Sequence, residues 1–115
     1  MGLEEVKTYS NINIKVGLDE AKTPVHIELE STDGGEKKTE CKGMLISLFD
    51  KEHRDTLKID LWTNEMQVVE MDRFMYQTLR GLADTYFKAT NNTPLGNDFM
   101  RFVQYFGEKT EVLPK

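Results

Sequence analysis

The chain has 115 residues, and its 38% hydrophobic and 30% charged content describes a globular domain and excludes a disordered chain. Its net charge of -5 disfavours binding to nucleic-acid phosphates or anionic lipid. A single cysteine, Cys41, excludes an internal disulfide. We expect one domain over residues 1–115, ordered from about residue 6 to 108, with no membrane span and a cytoplasmic location.

The first half of the chain carries the period-two alternation of half-buried strands. Four strands are expected, over residues 12–18, 25–30, 43–50 and 56–62. Residues 19–23 suit the turn of a hairpin, and the charged run 51–55 suits a loop. Residues 31–40 are polar and contain Asp33-Gly34-Gly35, so a loop with a turn is predicted there.

In the second half the apolar spacing changes to three or four, which predicts an amphipathic helix over about 66–89. Thr63 and Asn64 are its candidate N-caps. A second helix is expected from a cap at Thr93 to a stop at Gly107, with a loose tail beyond it. The order predicts an α+β fold: a four-stranded antiparallel meander (ββββ) followed by two C-terminal helices packed on one face.

The third strand differs from the others because it has apolar residues on both faces. If the helices cover one face, Leu45 and Phe49 remain on the other, and Trp62 of the fourth strand points the same way. Either a helix or a loop of the same chain folds over these three residues, or they form an exposed patch that binds a partner or a second copy. Leu45, Phe49 and Trp62 are therefore the candidate interaction patch. Lys58 and Asp60, on this face, predict a surface ion pair.

No motif for catalysis or cofactor binding is found: there is no Gly-x-Gly-x-x-Gly, no phosphate loop and no nucleophile elbow. Cys41 with His26 or His53 as its base is the nearest approach to a catalytic pair, and nothing else in the sequence supports it. His26, Glu28 and Glu30 alternate on a solvated strand face, and two histidines are few for a metal site. We expect no catalytic, cofactor-binding or metal-binding residues.

One set of segments is similar to a known family over nearly the whole chain. It comprises Glu40–Asp50, Leu57–Thr63, Val69–Met71, Tyr76–Leu79 and Ala83–Thr85. Together with the first strand and Asp33-Gly34-Gly35, these segments resemble the GldC proteins of gliding Bacteroidetes. The resemblance implies a cytoplasmic accessory protein of gliding motility, for which no catalytic residues can be carried over. The segment 91–97 departs from the family pattern.

The resulting prediction is a non-catalytic adaptor that acts through protein–protein contacts, with a homodimer as one form it can take. Two alternative functions are suggested only by similarity of fold. The order of strands and helices is similar to the SecB export chaperone, which implies binding of unfolded polypeptide. It is also similar to Whirly and PUR-type domains, which bind single-stranded nucleic acid, but the negative charge argues against that. A small enzyme would need a pocket with convergent polar groups.

Overall fold

The computed structural model describes residues 4–31 and 37–114, in which two compact units are found. The first unit, Met1–Met66, contains the strands β1 (Ile12–Leu18), β2 (Pro24–Ser31), β3 (Lys38–Cys41), β4 (Gly43–Phe49) and β5 (Thr56–Trp62). The second unit, Gln67–Lys115, contains the helices α1 (Val68–Thr90) and α2 (Thr93–Lys109). The predicted turn at Asp33-Gly34-Gly35 lies outside the described residues.

The first hairpin forms as predicted. Asp19 closes its turn, because one carboxylate oxygen accepts hydrogen bonds from the backbone N–H groups of Ala21 and Thr23, both at 2.9 Å. Antiparallel pairing then places Val16 opposite Ile27, whose side chain is buried. The apolar residues of the alternation therefore share one face of the β1–β2 ladder.

The predicted four-stranded meander is wrong in one respect: the strands form two sheets, β1-β2-β3 and β4-β5. The third strand begins earlier than expected, at Lys38, and bends at Lys42. Before the bend it pairs with β2, as in Ile27 with Cys41, and after the bend it pairs with β5. That the helices cover one face of a sheet stays a prediction.

The turn between β4 and β5 is built around Asp50. Its backbone N–H donates to the carbonyl of Asp55 at 2.8 Å, and its carboxylate accepts from the backbone N–H of His53 at 2.6 Å. The Nδ1 atom of His53 lies 2.9 Å from the same carboxylate oxygen. Arg54 takes a left-handed conformation with φ of 57°, which lets the chain reverse. The predicted loop over 51–55 is confirmed.

These contacts lower the pKa of the Asp50 carboxyl below its ordinary value, first through the backbone hydrogen bond from His53 and then through its side chain. Because the folded pKa is the lower one, the stabilisation that Asp50 gives the turn is present above the unfolded pKa. It is lost as the pH falls through the folded pKa. We expect an NMR titration to show this lowered pKa. His53→Ala, which keeps the backbone N–H, should raise it part of the way. An Asp50 that titrates at its ordinary value would contradict this account.

The helical unit begins at a different cap from the one predicted. Gln67 and Glu70 form a capping box, in which the backbone N–H of Gln67 donates to the Glu70 carboxylate at 3.1 Å. Thr63, the expected cap, is instead buried and donates its N–H to the carbonyl of Lys42 at 2.7 Å. For α2 the cap is Asn92, whose side-chain oxygen accepts from Leu95 at 3.2 Å.

The core of the helical unit lies between α1 and α2. Tyr76, Ala83 and Val103 are buried in it, and Leu79, Phe99, Phe106, Val112 and Leu113 pack against them. Gly107, predicted as a helix stop, lies inside α2 and is buried because Tyr76 and Leu113 occupy the space beside it. The segment from Glu108 onward, predicted to be a loose tail, therefore contributes Val112 and Leu113 to the packing.

Gly107→Ala should destabilise the helical unit, because the added methyl group would lie 2.7 Å from side-chain atoms of both Tyr76 and Leu113. A cost of about 1–3 kcal/mol is expected for such overpacking. The matched control is Gly81→Ala in α1, where a Cβ would meet nothing within 4 Å. That change should stabilise the helix by roughly 0.5–1 kcal/mol. Urea denaturation of both variants tests the pair, and equal effects would contradict the packing described.

Candidate protein interaction surface

The β4–β5 hairpin has two different faces, fixed by its antiparallel register. Residues that lie directly opposite each other share a face. One face carries the pairs Gly43–Trp62, Leu45–Asp60, Ser47–Lys58 and Phe49–Thr56. The other carries the pairs Met44–Leu61, Ile46–Ile59 and Leu48–Leu57. We call the first the aromatic face and the second the aliphatic face.

All three residues of the predicted patch lie on the aromatic face. Phe49 is 70% exposed and Trp62 is 55% exposed, whereas Leu45 is partly buried. Trp62 lies opposite Gly43, which offers no side chain to cover the indole. Leu45, two residues along from Gly43, is a diagonal neighbour of Trp62 and within reach of its ring.

Phe49 does not join this pair of residues. It lies four residues beyond Leu45 on β4, a separation of about 14 Å along the strand. Lys58 and Asp60 occupy the space between on β5, and their charged groups are 3.0 Å apart, which confirms the predicted surface ion pair. Within one chain the aromatic face therefore has an apolar group at each end and a charged pair in the middle.

The aliphatic face is also substantially exposed. Leu48, Leu57 and Ile59 each keep more than half of their side-chain surface accessible. The period-two pattern indicates this face clearly but does not single it out, because alternation shows which residues share a face and not what lies against them. Exposed apolar side chains on both faces make this hairpin the strongest candidate for contact with another protein.

The groups considered for chemistry lie elsewhere in the first unit. The Cys41 thiol is half-buried and lies 3.8 Å from the carbonyl of Thr39. His26 lies 3.6 Å from Glu28 and 3.3 Å from Glu40, on the polar face of the three-stranded sheet. Among the residues that the structure describes, no cluster of three such side chains could hold a metal ion. Glutamates on this face also repel phosphates.

A groove of about 670 Å³ lies between α1 and α2. Its walls combine the charged Arg80 and Asp84 with apolar atoms of Phe87 and Met100. Asp84 is exposed and its carboxylate lies 3.0 Å from Lys88. No sequence motif predicts this groove, because its lining residues come from two helices and are far apart in the sequence.

Over the residues that the structure describes, the fold is α+β, with antiparallel strands in two sheets and two helices. Neither described helix is long and apolar enough to cross a membrane. The family model for gliding motility-associated proteins of the GldC-like type matches residues 24–112. The chain therefore belongs to the GldC-like family, which confirms the resemblance seen in the sequence. Neither the curated proteins nor the solved structures contain a match.

Proposed function

We propose that this chain is a non-catalytic adaptor of the gliding motility apparatus that works in the cytoplasm by binding other proteins. The observation that carries the proposal is the aromatic face, where Trp62 and Phe49 are both more than half exposed on an antiparallel strand pair. Exposed aromatic side chains of this kind supply most of the binding energy at protein interfaces. Membership of a motility-associated family supports the proposal that the partner is a protein of the gliding motility apparatus.

The contact is expected to centre on Trp62. Its indole has the largest apolar surface on the aromatic face, and its diagonal neighbour Leu45 adds an aliphatic side chain. Lys58 and Asp60 lie beside it and can orient a partner through charge, since charged groups at an interface give specificity more than affinity.

Trp62→Ala should weaken partner binding strongly and leave the fold intact. A loss of about 2 kcal/mol or more, roughly 30-fold in affinity, is expected for an aromatic anchor. In a gliding strain that lacks the chain, wild type should restore gliding and Trp62→Ala should not. The matched control is Tyr105→Ala on α2, because Tyr105 is 56% exposed and lies outside the hairpin. Full restoration of gliding by Trp62→Ala, with a melting curve like that of wild type, would contradict the proposal.

The aliphatic face favours one second candidate, a SecB-like chaperone. Leu48, Leu57 and Ile59 offer exposed apolar surface without a sequence-specific shape, which suits unfolded polypeptide. This function predicts that the chain suppresses aggregation of an unfolded test protein. Leu57→Asp should weaken that effect and Trp62→Ala should not. If the chain fails to suppress aggregation even in large excess, this candidate function is ruled out.

A further inference from the structure

One edge of the β4–β5 hairpin carries a regular row of backbone groups that face away from β4. The N–H of Thr63 donates to the carbonyl of Lys42, which makes these two residues a hydrogen-bonded pair at the end of the ladder. Hydrogen-bonded and non-hydrogen-bonded pairs alternate in an antiparallel ladder. The backbone groups of Ile59 therefore face β4, and those of Lys58 and Asp60 face the outer edge. Among the described residues, this sheet consists of β4 and β5 alone.

We propose that a second copy of this chain pairs with the outer edge of β5, antiparallel and about a two-fold axis at Ile59. This register places Lys58 opposite the partner subunit's Asp60, and Asp60 opposite the partner subunit's Lys58. Ile59 then lies opposite its own copy, and Leu57 opposite the partner subunit's Leu61. Each aliphatic residue of β5 meets an aliphatic one, each charge meets its opposite, and Trp62 lies opposite the partner subunit's Thr56.

The neighbouring registers of the same two strands are unfavourable. Moving the two-fold axis to Lys58 or to Asp60 sets two like charges directly opposite each other. Sliding one strand by a single residue relative to the other would place the aliphatic face of one copy on the same side of the sheet as the aromatic face of the other. A charged residue on an edge strand normally prevents pairing. Lys58 and Asp60, spaced by two about Ile59, instead favour this register over the two adjacent ones.

The outer edge of β4 does not carry such a pattern. Gly43–Phe49 contains no charged residue, so nothing in it distinguishes one two-fold register from another. A pairing centred on Ile46 would also place Gly43 opposite Phe49, where glycine offers no cross-strand contact. Charge complementarity therefore selects β5 as the strand that receives the second copy.

The dimer completes the aromatic face. Within one chain, Phe49 and Trp62 are at opposite ends of the hairpin, about 20 Å apart along the strands. In the paired sheet, Phe49, Thr56 and the partner subunit's Trp62 fall in one row across neighbouring strands. The two aromatic residues are then separated by two strand spacings, about 10 Å, with the small Thr56 between them. Dimerisation does not depend on whether this face binds a motility protein, so the two proposals fail separately.

Cross-linking tests the strand and the register together. In a Cys41→Ser background, Ile59→Cys should form a disulfide-linked dimer on mild oxidation. The two Ile59 positions form a non-hydrogen-bonded pair with Cα atoms about 4.5 Å apart, within the range of a disulfide. The matched control is Ile46→Cys, because Ile46 lies opposite Ile59 on the same face. Its copies would be about 14 Å apart, three strand spacings, and should not cross-link. Cross-linking at Ile46 and not at Ile59 would overturn the proposal.

Charge reversal tests the same register without a new covalent bond. Lys58→Asp and Asp60→Lys each bring like charges together, so each should raise the dimer dissociation constant about tenfold or more in analytical ultracentrifugation. The double variant Lys58→Asp/Asp60→Lys restores opposite charges and should return the constant to near the wild-type value. Circular dichroism confirms that each variant is folded. A wild-type chain that stays monomeric at every attainable concentration, or a double variant no better than the single ones, would overturn the proposal.

Discussion

The backbone hydrogen bonds between β4 and β5 fix the features on which the functional account depends. Their register decides that Leu45, Phe49 and Trp62 share a face and that Phe49 lies apart from the other two. The bond from Thr63 to the carbonyl of Lys42 sets the alternation of the ladder, and so decides which groups face the outer edge of β5. A two-stranded ribbon is marginally stable alone in water, which gives a physical reason for it to gain another strand.

Two local devices hold this ladder at its ends. Asp50 ties the turn together by accepting from the backbone of His53 and by donating its own N–H to Asp55. At the other end, Thr63 is buried and bonded to Lys42 at the bend between β3 and β4. The hairpin is therefore anchored at both ends, and its exposed side chains are presented from a defined backbone. Such presentation lowers the entropy that binding must overcome.

The sequence predicted the positions of β1, β5 and α1 closely, because regular spacing of apolar residues reports the period of an element. It also placed Leu45, Phe49 and Trp62 on one face, since alternation determines the face of a strand. The separation of about 14 Å between Phe49 and Leu45 also follows from the sequence, because their positions on one strand are four residues apart.

The bend at Lys42 was not predicted from the sequence. The residues before and after it both have the spacing of a strand, and they differ only in the strand with which they pair. The close packing at Gly107 was also not predictable, because it depends on Tyr76, which is in the other helix, and on Leu113, which follows the end of α2.

The chain belongs to a gliding motility-associated family, and the proposal adds that a second copy pairs with the outer edge of β5. Amide hydrogen exchange, followed residue by residue in β5 at several protein concentrations, tests the central claim most directly. The amides of Leu57, Ile59 and Leu61, which bond to β4, should be protected at every concentration. Those of Lys58 and Asp60 should become equally protected as the concentration rises and a second copy pairs with the edge. If the Lys58 and Asp60 amides exchange freely at every concentration while Ile59 stays protected, the edge is not an interface and the account is wrong.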